Sequence, residues 1–435
     1  MNIFNSVLPR SILVLVITRG LSSLGSTLTA FGLDVWVYRE TGSYTIFALL
    51  SVLTTLPSLV FAPIAGVIAD RWDKKQLLIL CDVVSLATVL VTLVMYLNDH
   101  LNVSMVAISI LALSLASEIR WSTLGPTISL MVPKEQLGQI NSLQQAFRSA
   151  TVMLGPILGA IGLEILGLPW LLSLDILSYV ASILGALVIS ISAINKSNQN
   201  ELKFSNFWQE LTYGFRWVFS QPALKRLLLF FMVINIGLSI FTATFAPYIL
   251  SFLPNSMLGL CLGLQGAGGF LTGLFLTKWG RQRNHEKSIL GSAFCVGLCL
   301  FAWGINHKAI GMAAVAFMLG VVVTVIMVSS QTIWQTYVPI AIQGKVFSVR
   351  SMVSLGLSPI SKLVSIPLVS AVFLPIVGNS NVAAMVWGNS QGSALGLMIS
   401  MLGVGVMACA IVVTLRGGFN FSTHASRDMH DSKVA

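Results

Sequence analysis

The sequence predicts an all-α integral membrane protein with twelve transmembrane helices in two six-helix halves. Hydrophobic residues make up 55% of the 435 residues, and the mean hydropathy is +0.87. The apolar residues are concentrated in runs of about 20, the length of a helix that crosses the hydrocarbon core of a bilayer. Charged residues are only 9% of the chain and lie mainly between these runs. An ordinary soluble domain does not have this composition.

The apolar runs, taken with the polar segments that separate them, give the expected position of each span. The first run is too long for the apolar region of a cleaved signal peptide, so it is interpreted as a retained span. An even number of spans places both termini on one side. The predicted spans are 11–38, 45–65, 77–97, 103–131, 143–166, 170–194, 224–252, 256–277, 288–306, 308–337, 352–377 and 392–415.

The basic residues indicate which side of the membrane holds the termini. Most of the 25 Lys and Arg residues lie on the terminal side of the spans, whereas the opposite loops contain only Arg39 and Lys308. Because basic loops stay on the inner side, the sequence predicts a protein of the cell (inner or plasma) membrane with both termini cytoplasmic. The net charge of +10 is attributed to this bias, so no nucleic-acid partner is expected.

Internal similarity predicts the division into halves at residues 1–194 and 224–435. Val132-Pro133 recurs as Val338-Pro339, and Arg71-Trp72 recurs as Lys278-Trp279 at nearly the same spacing. This pattern indicates a duplicated six-span unit.

The connection 195–223 carries apolar residues at helical spacing. This pattern predicts an amphipathic helix on the inner membrane surface, with a linker helix packed on protein as the alternative. The apolar positions are Phe204, Trp208, Leu211, Phe215 and Val218.

The segment Gly66-Val-Ile-Ala-Asp-Arg-Trp-Asp-Lys-Lys75 resembles the loop between spans 2 and 3 of the major facilitator superfamily. Other stretches are similar to the branch of that family that contains macrolide efflux and enterobactin export proteins. The resemblance implies that spans 1, 4, 7 and 10 surround a central cavity and that the two halves rock during transport. The stretches are Trp36-Val-Tyr38, Thr41-Gly-Ser43, Asn141-Ser142, Gly155-Pro156 through Gly159, Asp175 with Ser178, and Gly214.

The resemblance also implies a conformational gate formed by Gly66, Asp70, Arg71 and Lys75. Asp70 is expected to face a helix end and a basic partner, with Arg71 and Lys75 completing the network. A carboxylate at a helix N-terminus is favourable by about 0.3–1 kcal/mol. The alternative is that the basic residues only set topology, which leaves Gly66 and Asp70 unexplained.

Ionisable residues inside the spans are candidates for proton coupling, because each costs about 2.5–3.5 kcal/mol to insert. Glu118 is the first candidate, because burial and a neighbouring Arg shift its pKa in opposite directions. Arg19 and Arg120 lie at a similar depth, and Asp34 lies near the outer end of span 1. A static Arg19–Glu118 ion pair, or an Arg120 that extends to the inner surface, is the alternative.

Three further ionisable residues lie in or beside the predicted spans. Glu164 and Asp175 flank an outer turn and are expected at the interface. Lys362 lies inside span 11 and requires a polar partner.

Gly155, Pro156 and Gly159 resemble part of the antiporter signature of exporters, although helix packing explains the same residues. A recognition surface of apolar and amide groups is expected at Asn235, Phe241, Phe245, Gln265, Gln331 and Trp334. Few charges in the second half favour an amphiphilic or hydrophobic substrate.

Several functional classes are excluded by motif. The chain has no GxxxxGK[ST] phosphate loop and no catalytic constellation, so neither an ATP-driven pump nor an enzyme is expected. The five Cys and five His residues lack ligand spacing, so no metal or cofactor is expected. The predicted function is proton-coupled export of a small amphiphilic molecule by a monomer. Facilitated uptake, or a transport-inactive sensor or scaffold, is the alternative.

Overall fold

A computed structural model describes residues 9–42, 60–188, 207–279, 284–379, 386–387, 391–419 and 421, together with positions 46, 50, 53 and 54. These residues are helical or lie in turns, and the described part of the chain contains no strand. The α-helices are α1 Arg10–Thr41, α2 Ala62–Arg71, α3 Lys74–Leu97, α4 Val103–Met131, α5 Leu137–Ile165, α6 Leu168–Val188, α7 Phe207–Ser220, α8 Pro222–Leu250, α9 Asn255–Trp279, α10 His285–Ile305, α11 Ala309–Tyr337, α12 Gln343–Leu355, α13 Ser358–Pro367, α14 Leu374–Asn379 and α15 Gln391–Leu415.

Polar side chains fix the starts of several of these helices. Asp73 accepts a hydrogen bond from the Gln76 N–H at 2.9 Å and caps α3. Asn102 caps α4 in the same way through the Met105 N–H. These caps satisfy amide groups that have no partner within the helix, so each helix begins where the polar residue precedes an apolar run.

Nine of the described helices are long and apolar enough to cross a membrane, or ten if the bent helix around Pro156 is one span. The predicted all-α membrane fold is confirmed. The number twelve stays a prediction, because the predicted span 45–65 lies largely outside the described residues. Helix α15 coincides closely with the last predicted span.

The region predicted as span 352–377 is not one regular helix. It consists of the end of α12, then α13, a π-helical turn at Leu368–Phe373, and α14. Pro367 ends α13. Because proline lacks a backbone N–H and its ring obstructs the preceding turn, it breaks the regular ladder at this point.

The described chain forms two compact units whose boundaries fall at other residues than those of the predicted halves. Unit 1 comprises Met1–Gly214, Gln265–Gln282 and Trp334–Met352. In unit 1, α1 packs against α5 and α6, and α3 packs against α4 and α6. The two later segments join this unit because they contact its helices directly: a Cβ atom added at Gly273 would lie 2.7 Å from the Ala146 Cβ. The division into 1–194 and 224–435 stays a prediction.

Unit 2 comprises Phe215–Leu264, Arg283–Ile333 and Val353–Ala435, and its main contact joins α10 to α15. Glycines let these two backbones approach closely: a Cβ atom added at Gly403 would lie 2.5 Å from the Gly297 carbonyl oxygen. The Tyr248 hydroxyl donates a hydrogen bond to the Gly304 carbonyl at 2.8 Å. Small residues of this kind are typical of helix contacts in membranes.

The predicted linker helix is present as α7, although Phe204 lies outside the described residues. Gly214 packs so closely that an added Cβ atom would lie 2.9 Å from the Lys345 carbonyl oxygen. Val218 is fully buried. The described part of α7 therefore favours the alternative of a helix packed on protein, and its placement on a membrane surface stays a prediction.

Candidate functional site

The Asp70 carboxylate binds the N-terminus of α12. Its Oδ1 atom accepts a hydrogen bond from the Gly344 N–H at 2.7 Å, and its Oδ2 atom accepts one from the Lys345 N–H at 2.9 Å. These amides belong to the first turn of α12, where backbone N–H groups have no partner within the helix. The carboxylate also faces the positive end of the helix dipole. Asp70 therefore acts as an N-cap supplied by a distant part of the sequence.

Glycines bring the two helices into this contact. Gly66 lies one turn before Asp70, and a Cβ atom added there would lie 2.5 Å from the Gly344 carbonyl oxygen. A Cβ atom added at Gly344 would lie 2.5 Å from the Asp70 Oδ1 atom. Both distances are too short for a real side chain. The pattern of glycine and aspartate one turn apart is thus explained by a close backbone approach.

The other charges of the segment bind different helix ends. The Lys74 ammonium donates to the Ala69 carbonyl at 3.3 Å, near the end of α2, and the Lys75 ammonium donates to the Leu187 carbonyl at 2.8 Å, near the end of α6. Cations are favourable at these positions because helix C-termini carry unpaired carbonyls and negative partial charge. Lys75 thus bonds to α6, whereas Lys345 and Lys74 act electrostatically on Asp70. Arg71 is half-buried.

Burial makes the Asp70 contact sensitive to pH. It raises the Asp70 pKa from 3.8 to about 6, while the Lys345 and Gly344 N–H groups oppose the rise. Between about pH 4 and pH 6 the folded protein therefore retains a proton that the unfolded chain has released. As pH rises through this window, the contribution of Asp70 to the unfolding free energy decreases.

We therefore expect the difference in unfolding midpoint between wild type and Asp70→Asn to fall from about pH 4 to pH 6 and to stay constant above that. Thermal unfolding in detergent at a series of pH values measures it. A difference that grows as pH rises would mean that the contact favours the charged carboxylate more strongly than burial disfavours it.

A buried ionic cluster lies among α1, α3 and α4. The Arg19 Nη1 atom lies 2.7 Å from the Asp82 Oδ1 atom, and the Arg120 Nε atom lies 3.4 Å from the same oxygen. The side chains of Arg19 and Asp82 are 7% and 0% exposed. One carboxylate therefore lies close to two guanidinium groups in the interior of unit 1.

Hydroxyl groups extend this cluster towards α6. The Arg120 Nη2 atom donates to the Ser85 hydroxyl at 2.8 Å, and the guanidinium lies 5.5 Å from the centre of the Tyr179 ring. The Tyr179 and Ser26 hydroxyls are 2.8 Å apart. Ser26 in turn donates to the Asp175 carboxylate at 3.3 Å. Two acidic and two basic side chains thus share one buried polar region.

The structure assigns Arg19 a partner that the sequence interpretation missed. Arg19 pairs with Asp82, not with Glu118. Glu118 and Asp34 are half-buried and form no ion pair with another described residue. Asp82 could have been found by the rule that selected Glu118, since it is an ionisable residue within an apolar run. Asp175, expected at the interface, is instead fully buried.

The antiporter-like residues bring α5 close to α1. A Cβ atom added at Gly155 would lie 2.5 Å from the Thr27 Cγ2 atom, and one added at Gly159 would lie 2.8 Å from the Phe31 ring. The helix axis bends by 44° between Gly155 and Ile157, at Pro156. Helix packing therefore accounts for the two glycines in this conformation, and an antiporter role of the three residues stays a prediction.

Three of the residues expected to line a substrate cavity are buried by packing in this conformation, and their role in recognition stays a prediction. The Phe241 and Phe245 rings lie 5.5 and 5.2 Å from the Trp303 ring, which is fully buried. Trp334 is 1% exposed and stacks beneath the Arg350 guanidinium. Aromatic rings bury large apolar areas, so they favour such packing.

Other candidates for recognition retain partial exposure. Asn235, Gln265 and Gln331 are half-buried. Lys362, which was expected to require a polar partner inside span 11, is exposed on α13.

Comparisons with known proteins agree with this architecture. The profile of the Major Facilitator Superfamily matches residues 15–361. Macrolide efflux protein A of Streptococcus pyogenes is 26% identical over 302 residues, covering 66% of this chain and 71% of that protein. The protein of the same name from Enterococcus faecalis is 27% identical over 271 residues, covering 59% of this chain and 79% of that protein.

Solved structures show the same fold. A bacterial homologue of the iron transporter ferroportin, in an outward-facing state, has a TM-score of 0.67 at 18% identity, and covers 92% of this chain and 100% of its own. The human organic anion transporter MFSD10 has a TM-score of 0.69 at 15% identity with the same coverage.

Proposed function

Because this chain belongs to the Major Facilitator Superfamily, and is therefore a multi-pass membrane transport protein, we propose that it exports small amphiphilic or hydrophobic compounds in exchange for protons. The observation that carries the proposal is the contact of Asp70 with the Gly344 and Lys345 amides. Glycines on both helices permit this contact, and two charge-assisted hydrogen bonds hold it.

In transport by alternating access, the binding site opens to one side of the membrane and then to the other. The Asp70 contact would help to hold one of these two conformations. A contact made in one conformation and broken in the other shifts the equilibrium between them by its free energy. Each hydrogen bond to a charged group contributes about 1.5–3 kcal/mol. Gly66, Asp70, Gly344 and Lys345 would therefore hold one side of the transporter closed, on the side where the basic loops place the cytoplasm.

Export of an apolar compound is favoured by the relatives and by the composition. Two relatives are named macrolide efflux proteins. The described parts of the long helices α8 and α11 carry charge only near the start of α8, at Lys225 and Arg226. A surface of this kind suits an amphiphilic molecule better than a polyanion.

Protons are the proposed coupling ion because the spans hold ionisable groups that would otherwise be costly. The proposal places a monomer in the cell membrane with both termini in the cytoplasm, and the bilayer as its surroundings. Glu118 and Asp34 are the coupling candidates that the sequence offers, with Arg19 and Arg120 as neighbouring cations.

Transport by purified protein in lipid vesicles tests the proposal. Vesicles loaded with erythromycin, a macrolide, should release it in response to an imposed proton gradient. If erythromycin moves only down its own concentration gradient, the protein is a facilitator, which is the alternative of facilitated uptake. Absence of macrolide and lipophilic-dye flux from folded protein would favour a sensor or scaffold.

We expect Asp70→Asn to lower the rate of transport about tenfold, because two hydrogen bonds to a charged acceptor become bonds to a neutral or mismatched amide. Binding of substrate should change little, since the contact lies between helices. Initial rates in the vesicle assay, with binding measured separately, check this. Asp73→Asn is the matched control, because Asp73 caps α3 through the Gln76 N–H and an asparagine there can accept the same hydrogen bond. Equal rates for wild type and Asp70→Asn would remove Asp70 from the gate.

A further inference from the structure

Asp175 is a fully buried carboxyl group whose close partners are hydroxyls. It lies on α6, and its Oδ1 atom accepts from Ser26 at 3.3 Å and from Ser178 at 3.1 Å. A Cβ atom added at Gly25 would lie 2.9 Å from Oδ1, so α1 closes over the carboxyl group directly. An ionised carboxylate in such a place is costly unless a cation compensates it.

The second buried carboxylate of the cluster has the opposite environment. Asp82 lies within 3.4 Å of two guanidinium groups, Arg19 and Arg120, so its carboxylate is paired with two cations. Asp175 forms no ion pair with any described Lys or Arg, and Arg120 acts on it only at longer range. The two buried acids therefore have different surroundings: Asp82 is held in ion pairs, whereas the close partners of Asp175 are hydroxyl groups.

We propose that Asp175, rather than Glu118 or Asp34, is the carboxyl group that binds and releases the transported proton. This inference rests on the proposed proton-coupled export and names the site of coupling. The proton adds to a carboxylate oxygen of Asp175 and leaves from the same oxygen, so no other reactant is needed.

The charged and titratable groups around Asp175 explain how its protonation would depend on conformation. Helix α1 contributes Arg19, α3 contributes Asp82, α4 contributes Arg120, and α6 itself contributes Tyr179. Helix α5, which also contacts α6, carries the acid Glu164 and the base Arg148, and Arg148 forms no ion pair with Asp175 among the described residues.

With Asp175 ionised, two carboxylates balance two guanidinium groups; with Asp175 protonated, one positive charge is in excess. A shift of Arg120 towards Asp175 would therefore expel the proton, and a shift away would favour its binding. The Ser26 hydroxyl bonds the Asp175 carboxyl group and lies 2.8 Å from the Tyr179 hydroxyl, so hydrogen bonds link the carboxyl group to the ring that Arg120 overlies.

Infrared spectroscopy of the purified full-length protein tests the assignment without any substrate. A protonated carboxyl group has a carbonyl stretch that the ionised form lacks. We expect this band to titrate with pH in wild type and in Glu118→Gln, and to be lost in Asp175→Asn. Ser26→Ala should keep the band but shift its frequency, because the hydroxyl bonds the carboxyl group. If Asp175→Asn does not fold, the frequency shift in Ser26→Ala tests the assignment instead.

The same variants in erythromycin-loaded vesicles connect the band to transport. Asp175→Asn should keep downhill flux and lose the component driven by the proton gradient, whereas Asp99→Asn, which changes an exposed carboxylate in a turn, should keep both. A band that persists in Asp175→Asn, a Ser26→Ala band unchanged in frequency, or gradient-driven flux that survives in Asp175→Asn would overturn the inference. If wild type shows the Asp175 band but no proton-dependent flux, the proposed function fails while the proton site stands.

Discussion

Replacement of Asp82 by Asn is expected to lower the unfolding free energy by about 3–5 kcal/mol, because it leaves two buried guanidinium groups without their shared carboxylate. Arg19 loses its 2.7 Å ion pair, and Arg120 loses its 3.4 Å contact. An uncompensated charge in a membrane span costs more than the ion pair itself contributes. Thermal unfolding of the purified protein in detergent measures the loss.

Two controls separate this effect from a simple loss of charge. Asp99→Asn removes an exposed carboxylate in a turn and should leave the unfolding midpoint almost unchanged. Asp82→Asn combined with Arg19→Gln removes one of the stranded cations and should be more stable than Asp82→Asn alone. If Asp82→Asn unfolds at the wild-type temperature, the guanidinium groups have other sufficient partners.

Replacement of Gly66 by Ala is expected to slow transport more than about tenfold. The new methyl group would lie 2.5 Å from the Gly344 carbonyl oxygen, so α2 and α12 must separate. A separation of about 1 Å stretches both Asp70 hydrogen bonds beyond useful length. The charged residues stay in place, so this variant tests the geometry of the contact independently of its charge.

Initial transport rates in lipid vesicles, corrected for the amount of folded protein, measure the Gly66 effect. Gly291→Ala is the matched control, because an added Cβ atom there meets no atom within 4 Å. It should transport at the wild-type rate. A Gly66→Ala protein that matches Gly291→Ala would show that the close approach of α2 and α12 is not needed for transport.

The sequence predicted the parts of the fold that depend on local chemistry. Runs of apolar residues must be helical in a bilayer, because every backbone polar group there needs a partner within the segment. The described helices accordingly lie close to most of the predicted spans. The exception is the region of span 352–377, where the interruption at Pro367 depends on how neighbouring helices accept an irregular backbone.

Part of the candidate site was also predictable. The expectation that Asp70 faces a helix end came from the resemblance of its segment to a loop of the major facilitator superfamily. The amides that it binds, Gly344 and Lys345, lie more than half the chain away, and no local signal in the sequence names them.

The sequence by itself determined the class of protein and its family. It also showed which ionisable residues lie within apolar spans. Only the tertiary structure decided which of these residues meet. Arg19 pairs with Asp82 instead of Glu118, and Asp175 is enclosed instead of interfacial. The physical reason is that successive residues point about 100° apart around a helix, so depth along a span is readable from sequence. The rotation of one helix against another is fixed only by packing.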